Sequence, residues 1–118
     1  MKAKDALGRH GEDLAAEFLQ QSGLRVLDRN WRCADGEIDI VAVDRRMLVV
    51  CEVKTRTGDR FGAPLESISR TKLRRLRRLA IRWVVAHGVL FDEIRVDAIG
   101  VDRSPSGEFT INHARGVG

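Results

Sequence analysis

Apolar residues near the start of the chain recur at three- and four-residue steps. Leu7, Gly11, Leu14, Ala15 and Phe18 form one stripe, the spacing of a helical face. This predicts a helix over residues 7–21, ended near Gly23. The period then changes. Arg25 to Arg32 suggests a strand, and Asp35-Gly36 a turn. From Glu37 to Lys54 the chain is almost continuously apolar, broken at Asp44-Arg45-Arg46. That pattern predicts a hairpin of two strands, buried on both faces. Arg-Arg is not a favoured two-residue turn, so a reversal of three or four residues is expected.

Gly58 to Gly62 reads as a polar connection, and Pro64 as a helix start, where its missing N–H costs nothing. Leu65, Ile68, Leu73, Leu76, Leu79, Ala80, Trp83 and Val84 trace a long amphipathic helix closed by Gly88. Glu93 to Val101 and Glu108 to Asn112 complete the pattern as strands. The order is helix, three strands, helix, two strands. It predicts an α/β fold with a mixed central sheet flanked by helices. One domain is expected over residues 1–118, with residues 114–118 as a frayed tail.

Alternation along the hairpin brings charged residues together. Glu52 and Lys54 share a face with Leu48 and Val50, and Asp39 shares one with Val41 and Val43. With Arg45 and Arg46 at the centre of the reversal, 43 faces 48, 41 faces 50 and 39 faces 52. Asp39 and Glu52 are then cross-strand neighbours, with Cβ atoms about 5 Å apart. Two ionised carboxylates at that distance repel. A hard divalent cation, Mg²⁺ or Mn²⁺, resolves the conflict, with the Val53 carbonyl as a further ligand. Lys54 then either neutralises charge on a phosphodiester or takes a proton from water. The plain alternative is a set of solvated charges at a strand end.

Glu12 borders the apolar stripe of the first helix. It either leans over the charged end of the sheet or solubilises the helix rim. Glu37 is read as a salt-bridge partner of Lys54 or an edge residue rather than a ligand, His10 as an exposed residue at the helix start, and Cys51 as core.

The charge balance sharpens the picture. The net charge is +4, and residues 70–82 hold seven basic side chains and no acidic one. Like charges at helical spacing repel one another, whereas a phosphate backbone rewards them. Pairing with acids from other elements is the competing explanation. Lys72, Arg74, Arg75 and Arg78, with Arg56 beside the charged strand, are the candidate nucleic-acid contacts, and Lys72, early in the helix, could instead face back toward the charged end of the sheet. No run is long and apolar enough to span a bilayer, and the N-terminus lacks the apolar core of a secretory signal. Cys33 and Cys51 read as free thiols of a reducing cytoplasm.

Five strings carry a resemblance: HGEDLAAEFL, NWRCADGEIDIVAVD, VVCEVKTR, FGAPLESISRTKLRRL and RVDAI. In this order they resemble the YraN-type family of small bacterial proteins. That family is placed in the restriction-endonuclease-like superfamily, near the archaeal Holliday junction resolvases. The resemblance implies a nuclease core carried by Asp39, Glu52 and Lys54, with Glu12 as the accessory helix glutamate and Lys72 as the helix lysine. It implies a Mg²⁺- or Mn²⁺-dependent endonuclease acting on structured or branched DNA. The alternative is a nucleic-acid-binding or adaptor protein that keeps the fold without cleavage. The expected partner is nucleic acid, DNA before RNA, with a homodimer left open and no membrane.

Overall fold

The structure is a computed structural model that describes residues 6–57 and 68–117. Helix α1 (Ala6–Gln21) leads into strands β1 (Arg25–Cys33), β2 (Gly36–Asp44) and β3 (Met47–Thr57). Helix α2 (Arg70–His87) then precedes β4 (Glu93–Arg103) and β5 (Phe109–Ala114). The five strands form one sheet in sequence order, antiparallel except where β3 runs parallel to β4. Among the described residues, each face of this mixed sheet carries one helix. Ala15, Ala16 and Leu19 of α1 pack on Ile40, Ala42, Val49, Cys51, Ile99 and Val101. Leu76, Leu79, Ala80 and Trp83 of α2 pack on Ile38, Val41, Leu48, Val50 and Val96. Alternate residues of β2 and β3 thus feed opposite cores, which is why the hairpin sequence is apolar on both faces.

Three boundaries differ from expectation. The β2–β3 reversal is a two-residue turn, with Asp44 paired to Met47 and Arg45 at φ 61°. The ladder on both sides fixes the register, so Arg45 takes up the positive φ that a tight hairpin demands. Helix α2 starts at Ser69, whose hydroxyl accepts the Lys72 N–H at 3.1 Å, so Ile68 lies outside it. Pro64 and Leu65, and the Gly58 to Gly62 connection, lie outside the described residues. Residues 116 and 117, within the stretch expected to fray, are anchored: the Gly116 N–H donates to Asp97 at 2.9 Å and the Val117 N–H to the Val96 carbonyl at 2.9 Å.

Those anchors belong to a buried polar network. Asp97 is fully enclosed. It accepts two bonds from Arg95, at 2.8 and 3.0 Å, and meets His113 Nε2 at 2.7 Å. Burial works against the Asp97 charge, but the bonds from His113, Arg95 and Gly116 outweigh it and hold its pKa below the ordinary aspartate value. Gly11 sets the seat of α1. A Cβ there would overlap the Thr55 hydroxyl and stand 3.0 Å from Thr55 Cγ2. The absent side chain lets the helix lie directly on β3.

Candidate functional site

The β2–β3 ladder runs from Asp44–Met47 to Ile40–Cys51 and records Val43–Leu48 and Val41–Val50, the expected register. Asp39 and Glu52 are the next residues beyond the last pair. There the Asp39 carboxylate replaces a ladder partner and accepts the Val53 N–H at 2.8 Å. Within a strand the N–H and C=O of one residue point to the same side, so the Val53 carbonyl also faces β2.

Leu48 and Val50 belong to the α2 core, and alternation carries Glu52 and Lys54 to the same face. The first turn of α2 confirms this for Glu52, because the Lys72 ammonium forms an ion pair with the Glu52 carboxylate. Lys54 is exposed and forms no ion pair among the described residues. Lys72 thus engages the Glu52 carboxylate, and the Val53 amide engages that of Asp39. Among the described residues no three His, Cys, Asp or Glu side chains gather at one point. The site offers two carboxylates and a main-chain carbonyl, all hard oxygen donors. That set fits Mg²⁺ or Mn²⁺ in chemistry, with waters completing the shell.

Glu12 is not on the helix rim. It is 1% exposed, and it accepts from Asn30 Nδ2 at 2.7 Å and from an Arg29 terminal nitrogen at 3.2 Å. Arg29 also reaches Asp13 at 2.6 Å. Burial works against the guanidinium charge, but the bonds to Asp13 and Glu12 outweigh it and raise the Arg29 pKa. These contacts place Glu12 in the α1 layer, on the other side of the sheet from the Lys72–Glu52 pair. Glu37 pairs with Arg32 at 3.2 Å, a different partner from the Lys54 that was expected, because Arg32 lies opposite Glu37 in the β1–β2 ladder. His10 is exposed, with its ring edge-on to Phe109. Cys51 is buried, and enclosure followed by the nearby Asp97 charge raises its pKa far above that of a reactive thiol.

The basic helix divides into paired and unpaired members. Lys72 holds Glu52, and Arg82 holds Asp35 at 2.7 Å. Arg70, Arg74, Arg75, Arg77 and Arg78 have no ion-pair partner among the described residues, and all five are exposed. Among the described residues, pairing with acids thus accounts for two of the seven charges. Arg56 differs from the helix arginines. Its guanidinium lies against buried Asp102, at 2.8 and 3.3 Å, and Asn112 joins at 3.1 Å. An internal carboxylate already engages this candidate phosphate contact.

Two parts of this arrangement escape sequence reasoning. Lys72 was a candidate for phosphate, and its contact with Glu52 depends on the rotation of α2 over the sheet. Asn30 gave only a weak cue, as a residue type that strands disfavour.

Residues 11–101 match the profile described as Uncharacterised protein family UPF0102. The chain belongs to the UPF0102 family. A UPF0102 protein of Beutenbergia cavernae is 50% identical over 118 residues, the whole of both chains. One from a Nocardioides species is 50% identical over 115 residues, 98% of this chain and 93% of its own. One from Frankia casuarinae is 48% identical over 117 residues, 99% of each chain. The UPF0102 match runs from Gly11 within α1 through most of β4, and so includes Glu12, Asn30, Asp39, Glu52, Lys54 and Lys72.

Proposed function

We propose that the protein is a divalent-metal-dependent endonuclease acting on structured or branched DNA, built on a restriction-endonuclease-like core. The observation that carries this reading is the release of the β2–β3 ladder at Asp39 and Glu52, beside a helix with five exposed arginines that have no ion-pair partner among the described residues. Asp39, Glu52 and the Val53 carbonyl would hold Mg²⁺ or Mn²⁺. Such an ion supplies Lewis-acid polarisation of a phosphoryl oxygen and a water of lowered pKa. Lys54, exposed on the Glu52 face, would meet the scissile phosphate or take the proton of the attacking water. The unpaired arginines would bind the flanking backbone and fix its register. We place the protein in the cytoplasm on the strength of two unbridged cysteines. No helix among the described residues is long and apolar enough to cross a membrane.

A second reading, nucleic-acid binding without cleavage, is favoured by one observation. Lys72 already neutralises Glu52, so the fold is self-consistent without metal. The experiment compares wild type, Glu52→Gln and Lys54→Ala on branched, flapped and linear DNA with Mn²⁺. Cleavage should be lost in both variants, Mn²⁺ affinity should fall only in Glu52→Gln, and DNA binding should survive in both. Cleavage that persists undiminished in both variants refutes the site. No cleavage of any substrate by wild type favours the binding-only reading.

A further inference from the structure

Asn30 lies in the middle of β1 with a left-handed backbone, φ 54°. Successive side chains of a regular strand alternate between faces. Here Arg29 and Asn30 both reach Glu12 in the α1 layer, and Trp31 packs with the α2 core. Strand β1 therefore changes phase at Asn30.

Strand β2 changes phase at the residue opposite. The pairs Arg29–Ile40 and Trp31–Ile38 keep one register, which sets Asn30 against Asp39. Ile40 lies in the α1 core and Ile38 in the α2 core, although residues two apart in a regular strand share a face. Asp39, between them, directs its carboxylate to the Val53 N–H of the neighbouring strand. The same turn of α1 bridges these strands from above, with Gly11 seated on Thr55 of β3 and Glu12 bonded to Asn30 of β1.

We propose that Asn30 is a positioning residue of the site: its left-handed backbone aims Asp39 at β3, and its amide holds Glu12 over the same strands. The functional meaning of this rests on the metal-site reading above, while the geometry can be tested without it. The residue type suits both tasks. Asparagine tolerates positive φ better than most side chains, and its amide donates to a carboxylate. Glycine would supply the backbone without the donor, aspartate would set a like charge against Glu12, and valine would resist the backbone itself.

The test compares Asn30→Gly with Asn30→Val, using Asn30→Ala in place of valine if that variant does not fold. Three quantities are read: exchange of the Val53 amide proton by NMR, the chemical shift of the Glu12 carboxyl carbon, and Mn²⁺ affinity by calorimetry. In Asn30→Val the Val53 amide should exchange about tenfold faster or more, as local opening around Asp39 becomes easier. Its Mn²⁺ affinity should fall by about tenfold or more, the usual scale for a residue that orients a ligand. Asn30→Gly should keep Val53 protection and Mn²⁺ affinity but shift the Glu12 carbon. DNA affinity should stay at the wild-type level in both, since the arginines of α2 are untouched. Wild-type protection of Val53 in Asn30→Val, or equal loss in Asn30→Gly, overturns the backbone role. An unmoved Glu12 signal in Asn30→Gly overturns the side-chain role. If wild type binds no Mn²⁺, the metal reading fails, and Val53 exchange still decides the positioning.

Discussion

Removing Arg74, Arg75 and Arg78 together tests the nucleic-acid surface most directly. All three are exposed, and none has an acidic partner among the described residues. The stretch from Arg70 to Arg78 covers about 12 Å of helix at 1.5 Å per residue, enough to track several phosphates of a duplex. Each neutralised phosphate releases counterions worth a slope of about 0.9 in log affinity against log salt. The triple alanine variant should therefore lower that slope by about 2.7. Doubling the salt should cost wild type about sixfold more affinity than it costs the variant. Arg82→Ala serves as the control, because Arg82 is engaged by Asp35 at 2.7 Å, and its slope should stay near that of wild type. The assay is fluorescence anisotropy on one DNA duplex at four salt concentrations, with circular dichroism to show that each variant is folded. A triple variant whose slope lies within about 0.5 of wild type would refute the assignment of this face to phosphate.

Two further outcomes are expected. Lys72→Met keeps the aliphatic stem but removes the ammonium from Glu52, and if the carboxylates hold a cation, Mn²⁺ affinity measured by calorimetry should rise by about tenfold, the scale of one lost charge contact; an unchanged affinity would place any cation away from Glu52. Asp97→Asn should cost about 3 kcal/mol in urea unfolding at pH 7, the scale for breaking a buried charge pair. Because the folded-state pKa of Asp97 lies below its ordinary value of 3.8, its charge stabilises the protein above that value. The difference between wild type and variant should shrink as pH falls below it toward the folded pKa, and a difference that stays constant down to acid unfolding would refute this account of the network.

The elements were legible because their periods were clean. The stripe of α1, the doubly apolar hairpin and the Leu73–Leu76–Leu79/Ala80 face of α2 all fell where spacing put them. The register was legible because Arg45 and Arg46 do stand at the centre of the reversal, which pairs 43 with 48 and 41 with 50. What remained hidden depended on local exceptions or on helix rotation. Arg45 adopts a positive φ because the ladder on both sides leaves it no choice, and arginine carries no turn signal of its own. The phase change at Asn30 and Asp39 was hidden because alternation was the premise of the reading. Strict alternation would put Ile38 and Ile40 in one core, and they lie in two. Lys72 could be placed near the sheet from its position early in α2, but not on Glu52. The Asp97 network was hidden in RVDAI, where a buried aspartate looks like one polar break in a strand.

Helix α2 joins the two halves of the functional argument. Its first turn delivers Lys72 to Glu52, and the next two turns carry four exposed arginines, Arg74, Arg75, Arg77 and Arg78, without an ion-pair partner among the described residues. From Lys72 to Arg78 the helix rises about 9 Å. A phosphate chain lying along those arginines would therefore pass within a few residues' length of the Glu52 carboxylate. A rigid helix fixes that spacing, so any phosphate bound along the arginines would lie at a set distance from the Glu52 carboxylate. The binding-only reading and the nuclease reading use the same surface and diverge at one contact. In the first, Lys72 is the permanent partner of Glu52 and holds α2 on the sheet. In the second, Lys72 competes with a divalent ion for the same carboxylate oxygens. A structural lysine predicts that Lys72→Met loses stability without gaining Mn²⁺ affinity, whereas a competing lysine predicts that Mn²⁺ affinity rises. The contact between Lys72 and Glu52 is thus where one measurement separates a scaffold from a catalyst.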